Sequence, residues 1–309
     1  MAPAAVPDLD PALHDTILQW YAEHGRGLAF RGTTEPWAIL VSEVMAQQTQ
    51  AARAAAAWTG FMAAFPTPAA LAAASPAAVL RAWRGLGYNR RALALRAAAA
   101  TIVADHGGAV PADLAALEAL PGVGPYTARA VAALAFGVSV GAVDTNVRRV
   151  LGRAFFDAPP AVRELQVFAD RAVPTRAPGA WTHALMDIGA RLCRPRAPRC
   201  GECPLAATCR YASSAAHGPR SAVPMSRAGP RRRGSATPFA ATPFAATARW
   251  LRGRIVDRLR DGADGAWVRI DGPIGDHAPE VVASELDRLA AEGLIERHPA
   301  DRQAARLAT

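Results

Sequence analysis

The chain has 309 residues, enough for one large domain or two smaller ones. It is 51% hydrophobic but only 6% aromatic, its net charge of +9 suits a polyanionic partner, and no charge-free apolar run is long enough for a membrane span. All 35 basic residues are arginine, so no lysine amine exists to form a Schiff base.

Alanine-rich runs at 51–57 and 97–100 favour helix and give strands little to build on, which predicts a mainly helical protein. The first ten residues hold two acids and no basic residue, which argues against a secretory signal and for a cytoplasmic protein. From Pro11 to Tyr211 the sequence reads as one helical domain, assigned to residues 1–211. Leu13, Ile17, Leu18 and Tyr21 recur at helical spacing, and Pro or Gly punctuates the chain at Pro36, Pro66, Pro76, Gly85, Pro111 and Pro121.

Within that domain, Leu120-Pro-Gly-Val-Gly-Pro-Tyr-Thr-Ala128 places Gly122 and Gly124 around Val123, ahead of a predicted helix. Such a turn brings free backbone amides to a helix N-terminus, a geometry that holds a phosphate without reading a base. Eighteen residues beyond Tyr126 comes Asp144, in Val143-Asp-Thr-Asn-Val-Arg-Arg149. Cys193, Cys200, Cys203 and Cys209 follow as C-x6-C-x2-C-x5-C, the only cysteines in the chain. A cytoplasmic setting disfavours disulfides and leaves zinc or an iron–sulfur cube, although zinc sites usually use two short-spaced couples and this spacing has one. Five arginines (191, 194, 196, 199 and 210) surround the thiols, fit either to balance their charge or to meet phosphates.

Residues 212–247 are rich in Ser, Ala, Pro and Arg, carry the triplet Arg231–Arg233 and repeat Ala-Thr-Pro-Phe-Ala at 236 and 241, as a flexible linker does. In 248–309 pattern returns. Trp250, Ile255, Val256 and Leu259 share one helical face, and Val281, Val282, Leu286, Leu289, Leu294 and Ile295 form a second apolar set before a short hairpin. This order resembles a winged-helix module, basic through Arg252, Arg254 and Arg258.

The uneven cysteine spacing resembles the [4Fe–4S] loop of the endonuclease III-like helix-hairpin-helix DNA glycosylases. The hairpin, the downstream aspartate and the cysteine loop stand in that family's order over residues 11–211. The resemblance implies an all-α, two-lobed helix-hairpin-helix fold, a [4Fe–4S] cofactor on the four cysteines, and a monomer acting on double-stranded DNA. Members that also cleave the DNA backbone carry a lysine where this chain has Tyr126, which implies a monofunctional enzyme using water.

Pro36-Trp-Ala-Ile-Leu-Val-Ser-Glu-Val-Met-Ala-Gln-Gln-Thr49 and Arg81-Ala-Trp-Arg-Gly-Leu-Gly-Tyr88 are similar to stretches of the MutY-type adenine glycosylases. Matched to them, Glu43 is the proton donor and Asp144 the carboxylate beside the sugar, with Asn146 orienting the attack. Gln48 and Tyr88 match wedges into the base stack, and Thr49 and Leu86 match contacts to the opposite guanine. Arg26, Leu28, Arg31 and Asp187 match the lining of the adenine pocket. Glu43, set among Leu40, Val41, Val44 and Met45, is predicted to be buried enough to hold its proton, and Asp144, near a helix start, to stay charged. Three features depart from the pattern: Phe30 replaces the usual Trp, Ala46 replaces a large aliphatic, and 248–309 is too short for the Nudix-like domain that reads the oxidised guanine.

The expected activity is excision of adenine opposite 8-oxoguanine or guanine. The alternatives are a T·G thymine glycosylase, and a non-catalytic DNA-binding iron–sulfur protein, against which both carboxylates argue.

Overall fold

The computed structural model describes residues 9–215 and 243–309. Most of the predicted linker, with its arginine triplet and its repeat, lies outside the described residues. In chain order the helices are α1 (Pro11–His24), α2 (Pro36–Ala46), α3 (Ala51–Ala64), α4 (Pro68–Ala73), α5 (Pro76–Ala82), α6 (Arg90–Asp105), α7 (Leu114–Ala119), α8 (Pro125–Ala135), α9 (Thr145–Phe155), α10 (Val162–Ala172), α11 (Pro178–Arg191), α12 (Arg210–Ala215), α13 (Ala248–Asp261) and α14 (Pro279–Ala291). None among the described residues is long and apolar enough to cross a membrane.

The helix starts follow from local chemistry. Asp10, Thr67 and Ser75 each accept a backbone N–H of the first turn, and each is followed by a proline whose fixed φ suits the first helical position. Thr247 caps α13 in the same way, accepting from the Trp250 amide.

The predicted helical domain divides into two compact units. The first takes in the described chain up to Glu43, Pro111–Ala119, and residues 123–215. Its core joins Leu13 and Ile17 of α1 to Val150 and Leu151 of α9, Phe168 of α10 and Trp181 and Ile188 of α11. The second takes in Val44–Val110, Leu120–Gly122 and residues 243–309. Phe61 meets Trp83 edge-on at 5.7 Å there, with Leu71, Leu80, Leu95 and Ile102 buried beside them.

The C-terminal segment thus clusters with α3–α6. Its order is α13, β1 (Val268–Arg269), α14, β2 (Ile295–Arg297) and β3 (Ala304–Leu307). The sheet is antiparallel in the order β1-β3-β2, with Ile295 opposite Leu307 and Val268 opposite Ala305. The predicted hairpin is present, whereas β1 is too short to leave a period in the sequence. Val281 departs from the predicted apolar set: Val282, Leu286 and Leu289 hold the buried stripe, and Val281, one residue off it, is exposed.

Candidate active site

Helix α2 is apolar on nearly every side, and Trp37–Met45 are all buried. Glu43 is therefore a carboxyl inside hydrocarbon, 7% exposed. Burial drives its pKa up to about 7, against a hydrogen bond from the Tyr126 hydroxyl; the Asp144 charge adds to the rise and the Arg31 charge opposes it. Tyr126, on the second helical position of α8, has its own ionisation pushed far upward by burial and by both carboxylates.

Asp144 caps α9. Its Oδ1 accepts the amides of Asn146 (2.8 Å) and Val147 (2.6 Å), and its Oδ2 accepts Asn146 Nδ2 at 2.9 Å. A carboxylate at a helix N-terminus is favoured by the free amides and the helix dipole. Asn146 is oriented in turn by Arg149, which donates to Asn146 Oδ1 (2.8 Å), Gly189 O (2.7 Å) and Cys193 O (2.5 Å). Sequence reasoning missed Arg149; its spacing from Asp144, just over one helical turn, was the available signal.

Asp187 is fully buried on α11 and bound by two arginines. Arg31 grips it bidentately at 2.6 and 2.8 Å, and Arg26 reaches it with Nε at 2.6 Å and its backbone amide at 2.8 Å. Leu28 is half-buried between them in sequence, its carbonyl accepting the Arg31 amide. Two further residues stand here that sequence reasoning did not find: Tyr21, whose ring lies 5.8 Å from the Arg31 guanidinium, and His183, hydrogen-bonded to Tyr21 at 3.3 Å. Burial, with help from Arg31, lowers His183 to about 3, so the ring is neutral at physiological pH. Phe30, next to Arg31 in the chain, is buried. Arg31 Nε is a buried donor with no protein partner, available to a ligand.

In the second unit, Gln48 and Tyr88 both take left-handed backbones, at φ 53° and 46°. Arg91 of α6 ties their loops together. It donates to Val44, Met45 and Gln47 carbonyls on one side, to Leu86 and Gly87 carbonyls on the other, and to the Thr49 hydroxyl. Leu86 is buried as a whole, its carbonyl accepting from Arg91 Nη2 at 3.1 Å and its amide donating to Trp83 O at 3.3 Å. Of the two hairpin glycines only Gly122 needs to be one: it has φ 78°, and a Cβ would meet Ala94 Cβ at 2.8 Å. Gly124 is extended, with open space around it, and serves as N-cap of α8. Val123 is buried.

The four cysteines line one small pocket, together with Leu192, Pro198, Tyr211 and Arg153. No group of three or more Cys, His or acidic residues converges on a single-ion position among the described residues. Four thiols around one pocket are a donor set that would fit a cube in which each thiolate takes its own iron. Burial pushes the Cys203 thiol up to about 11, so a thiolate there would need the charge of a bound metal to form near neutral pH. Arg153 of α9 donates to Cys193 Sγ at 3.5 Å, whereas Arg199 and Arg210 of the predicted set pair with Glu202 and Asp157.

Residues 41–173 match the family model of HhH-GPD superfamily base excision DNA repair proteins. The chain is 39% identical over 293 residues to an adenine DNA glycosylase of Mycolicibacterium smegmatis, covering 91% of this chain and 92% of that one. To an adenine DNA glycosylase of Mycobacterium tuberculosis it is 45% identical over 251 residues, 79% and 77% of the two chains. The structure of a thermostable thymine-DNA glycosylase superposes with a TM-score of 0.62 at 29% identity, over 66% of this chain and 96% of the other. The fold and the site define a DNA glycosylase of the helix-hairpin-helix kind. Within it, the chain belongs to the adenine DNA glycosylase family.

Proposed function

We propose that this protein excises adenine from double-stranded DNA in base excision repair, acting as a monomer on adenine opposite 8-oxoguanine or guanine and leaving an intact abasic strand. The observation that carries the reading is the contrast between two carboxyls. Glu43 lies in hydrocarbon with its pKa near 7, and Asp144 sits among helix N-terminal amides. Adenine leaves poorly unless protonated, and breaking its bond to the sugar develops oxocarbenium character. Glu43 gives its proton to the base, and Asp144 stays ionised beside the developing cation. Asn146 and Arg149 hold the Asp144 carboxylate in place. Arg26, Leu28 and Arg31 line the adenine pocket with Asp187 fixing the arginines, Gln48 and Tyr88 wedge the stack, and Thr49 and Leu86 face the opposite base.

Tyr126 stands where a lyase would need an amine, and no lysine replaces it elsewhere. Cys193, Cys200, Cys203 and Cys209 would hold a [4Fe–4S] cluster, which supplies a covalent cross-link between the loop and its pocket. Base removal by Glu43 and Asp144 does not pass through it.

The test is incubation with duplexes carrying A·8-oxoG, A·G, T·G and A·T, with release of the free base measured. Adenine release from the first two supports the reading. Thymine release from T·G alone would replace it with a thymine glycosylase.

A further inference from the structure

Tyr88 combines features that an ordinary surface tyrosine does not need. Its backbone is left-handed at φ 46° and its ring is 39% exposed. A non-glycine residue keeps such a conformation only where its surroundings fix it, and such strain gathers at functional sites. Here the fixing comes from two sources. Within the loop, Trp83 Nε1 donates to Gly87 O at 3.1 Å and Arg91 holds the Leu86 and Gly87 carbonyls. The rest comes from α13 of the C-terminal module. Arg260, 6% exposed, donates to Leu80 O at 2.8 Å and to the side chain of Asn89, the residue after Tyr88, at 2.9 Å. Arg84 pairs with Asp261 at 2.7 Å.

Arg249 completes the arrangement, its guanidinium 4.1 Å from the centre of the Tyr88 ring. Its neighbours on α13 are spent differently: Arg252 pairs with Glu285 and Glu292, and Arg254 with Asp257. Arg249 instead lies over two rings, Tyr88 and the exposed Phe244. Arg91 lies 5.5 Å from the same Tyr88 ring, and the two guanidiniums repel one another. An exposed aromatic flanked by two cations is suited to a stacked base with its phosphate.

We propose that the C-terminal module is a working part of the wedge, with Arg249 a positioning residue that acts through the Tyr88 ring and sets its orientation at the distorted step. The inference rests on reading Tyr88 as a wedge. Arg252 and Arg254, two of the arginines that make the tail and its linker basic, are by contrast engaged in ion pairs within the module.

The test uses the full chain in a Glu43→Gln background, which binds without chemistry, and a duplex with 2-aminopurine beside the A·8-oxoG pair. This adenine analogue brightens when it unstacks. Arg249→Ala should reduce the fluorescence gain on binding by about threefold to fivefold, as loss of a cation–π contact implies. Arg249→Lys should restore most of it. Arg258→Ala, which removes an equal charge from an exposed position of the same helix, should leave the gain unchanged. In a Tyr88→Ala background, Arg249→Ala should add nothing. All variants should melt at the parent temperature.

Equal effects of Arg249→Ala and Arg258→Ala, or independent effects of Arg249→Ala and Tyr88→Ala, would overturn the proposal. Failure of the unmodified chain to release adenine is a separate result. It would remove the proposed activity and leave the coupling of Arg249 to Tyr88 measurable.

Discussion

The Tyr126 hydroxyl lies against the Glu43 carboxyl, where it favours the carboxylate that burial disfavours, while its oxygen also reaches Met186 Sδ at 3.9 Å. Burial wins at Glu43 and leaves it half protonated near pH 7. Because the acid form is the one that delivers a proton, the single-turnover rate should fall as pH rises through about 7. Above that the fall is about tenfold per unit. A rate that climbs between pH 6 and 8 would remove Glu43 as the acid. Glu43→Gln should abolish release while retaining affinity for the mispair.

The same shift bears on stability. A folded pKa near 7 against the ordinary 4.5 means that ionised Glu43 disfavours the fold, an effect absent below about 4.5 and complete above about 7. The difference corresponds to about 3 kcal/mol. Glu43→Gln should therefore melt above the parent at pH 8, and the gap should close toward pH 5. A constant gap across that range would contradict the shift.

Asp144→Asn separates structure from chemistry. Asparagine caps a helix about as well as aspartate, so α9 should keep its start and the protein its melting temperature. The amide cannot balance a developing cation, and the single-turnover rate should fall by more than tenfold, a barrier increase above about 1.4 kcal/mol. A variant that keeps more than a tenth of the rate would show that charge at Asp144 is not what matters.

Base removal without a lyase step leaves an abasic site, so strand breakage should appear only after alkali or heat. The N-terminal amine is the sole amine left for a Schiff base in a chain without lysine. Efficient borohydride trapping of a covalent adduct would refute this reading.

The cysteine pocket predicts a brown protein absorbing broadly near 400 nm, with about four irons per chain. Cys203→Ser should give colourless or poorly folded protein. Stoichiometric zinc without iron, in protein purified under argon, would exclude the cluster.

Much of this was legible in the sequence because motif and environment coincide locally. The apolar neighbours of Glu43 in the sequence are also its neighbours in α2, so its burial could be read from one helix. The position of Asp144 before Thr145 likewise announced a cap. What stayed hidden depends on long-range contacts. Arg91, Arg149 and Arg260 look like ordinary helix arginines in a chain that is full of them. Only folding shows that Arg91 gathers two loops separated by about forty residues, or that Arg260 returns from the C-terminal module to Asn89. The Tyr21–His183 pair was equally unreadable, since nothing local links α1 to α11.

Asp187 supplies the last prediction. Burial alone would raise its pKa, yet the hydrogen bonds from Arg31 and the Arg26 amide, with both arginine charges, outweigh burial and hold it below the ordinary 3.8. A depressed acid stabilises the fold above the unfolded pKa and loses that contribution as pH falls through the lower, folded value. Asp187→Asn should therefore destabilise the protein at neutral pH by about 3 kcal/mol or more, because it leaves Arg31, itself mostly buried, without its counter-charge. The loss should shrink below about pH 4, where the parent carboxylate is itself protonating in the unfolded chain. Activity should suffer beyond stability, since Arg26 and Arg31 would no longer be held at the adenine pocket. Denaturant midpoints at pH 3.5 and 7, with single-turnover rates taken well below the melting temperature, separate the two effects. An Asp187→Asn protein as stable as the parent at pH 7 would mean that the arginine pair is held by something other than Asp187.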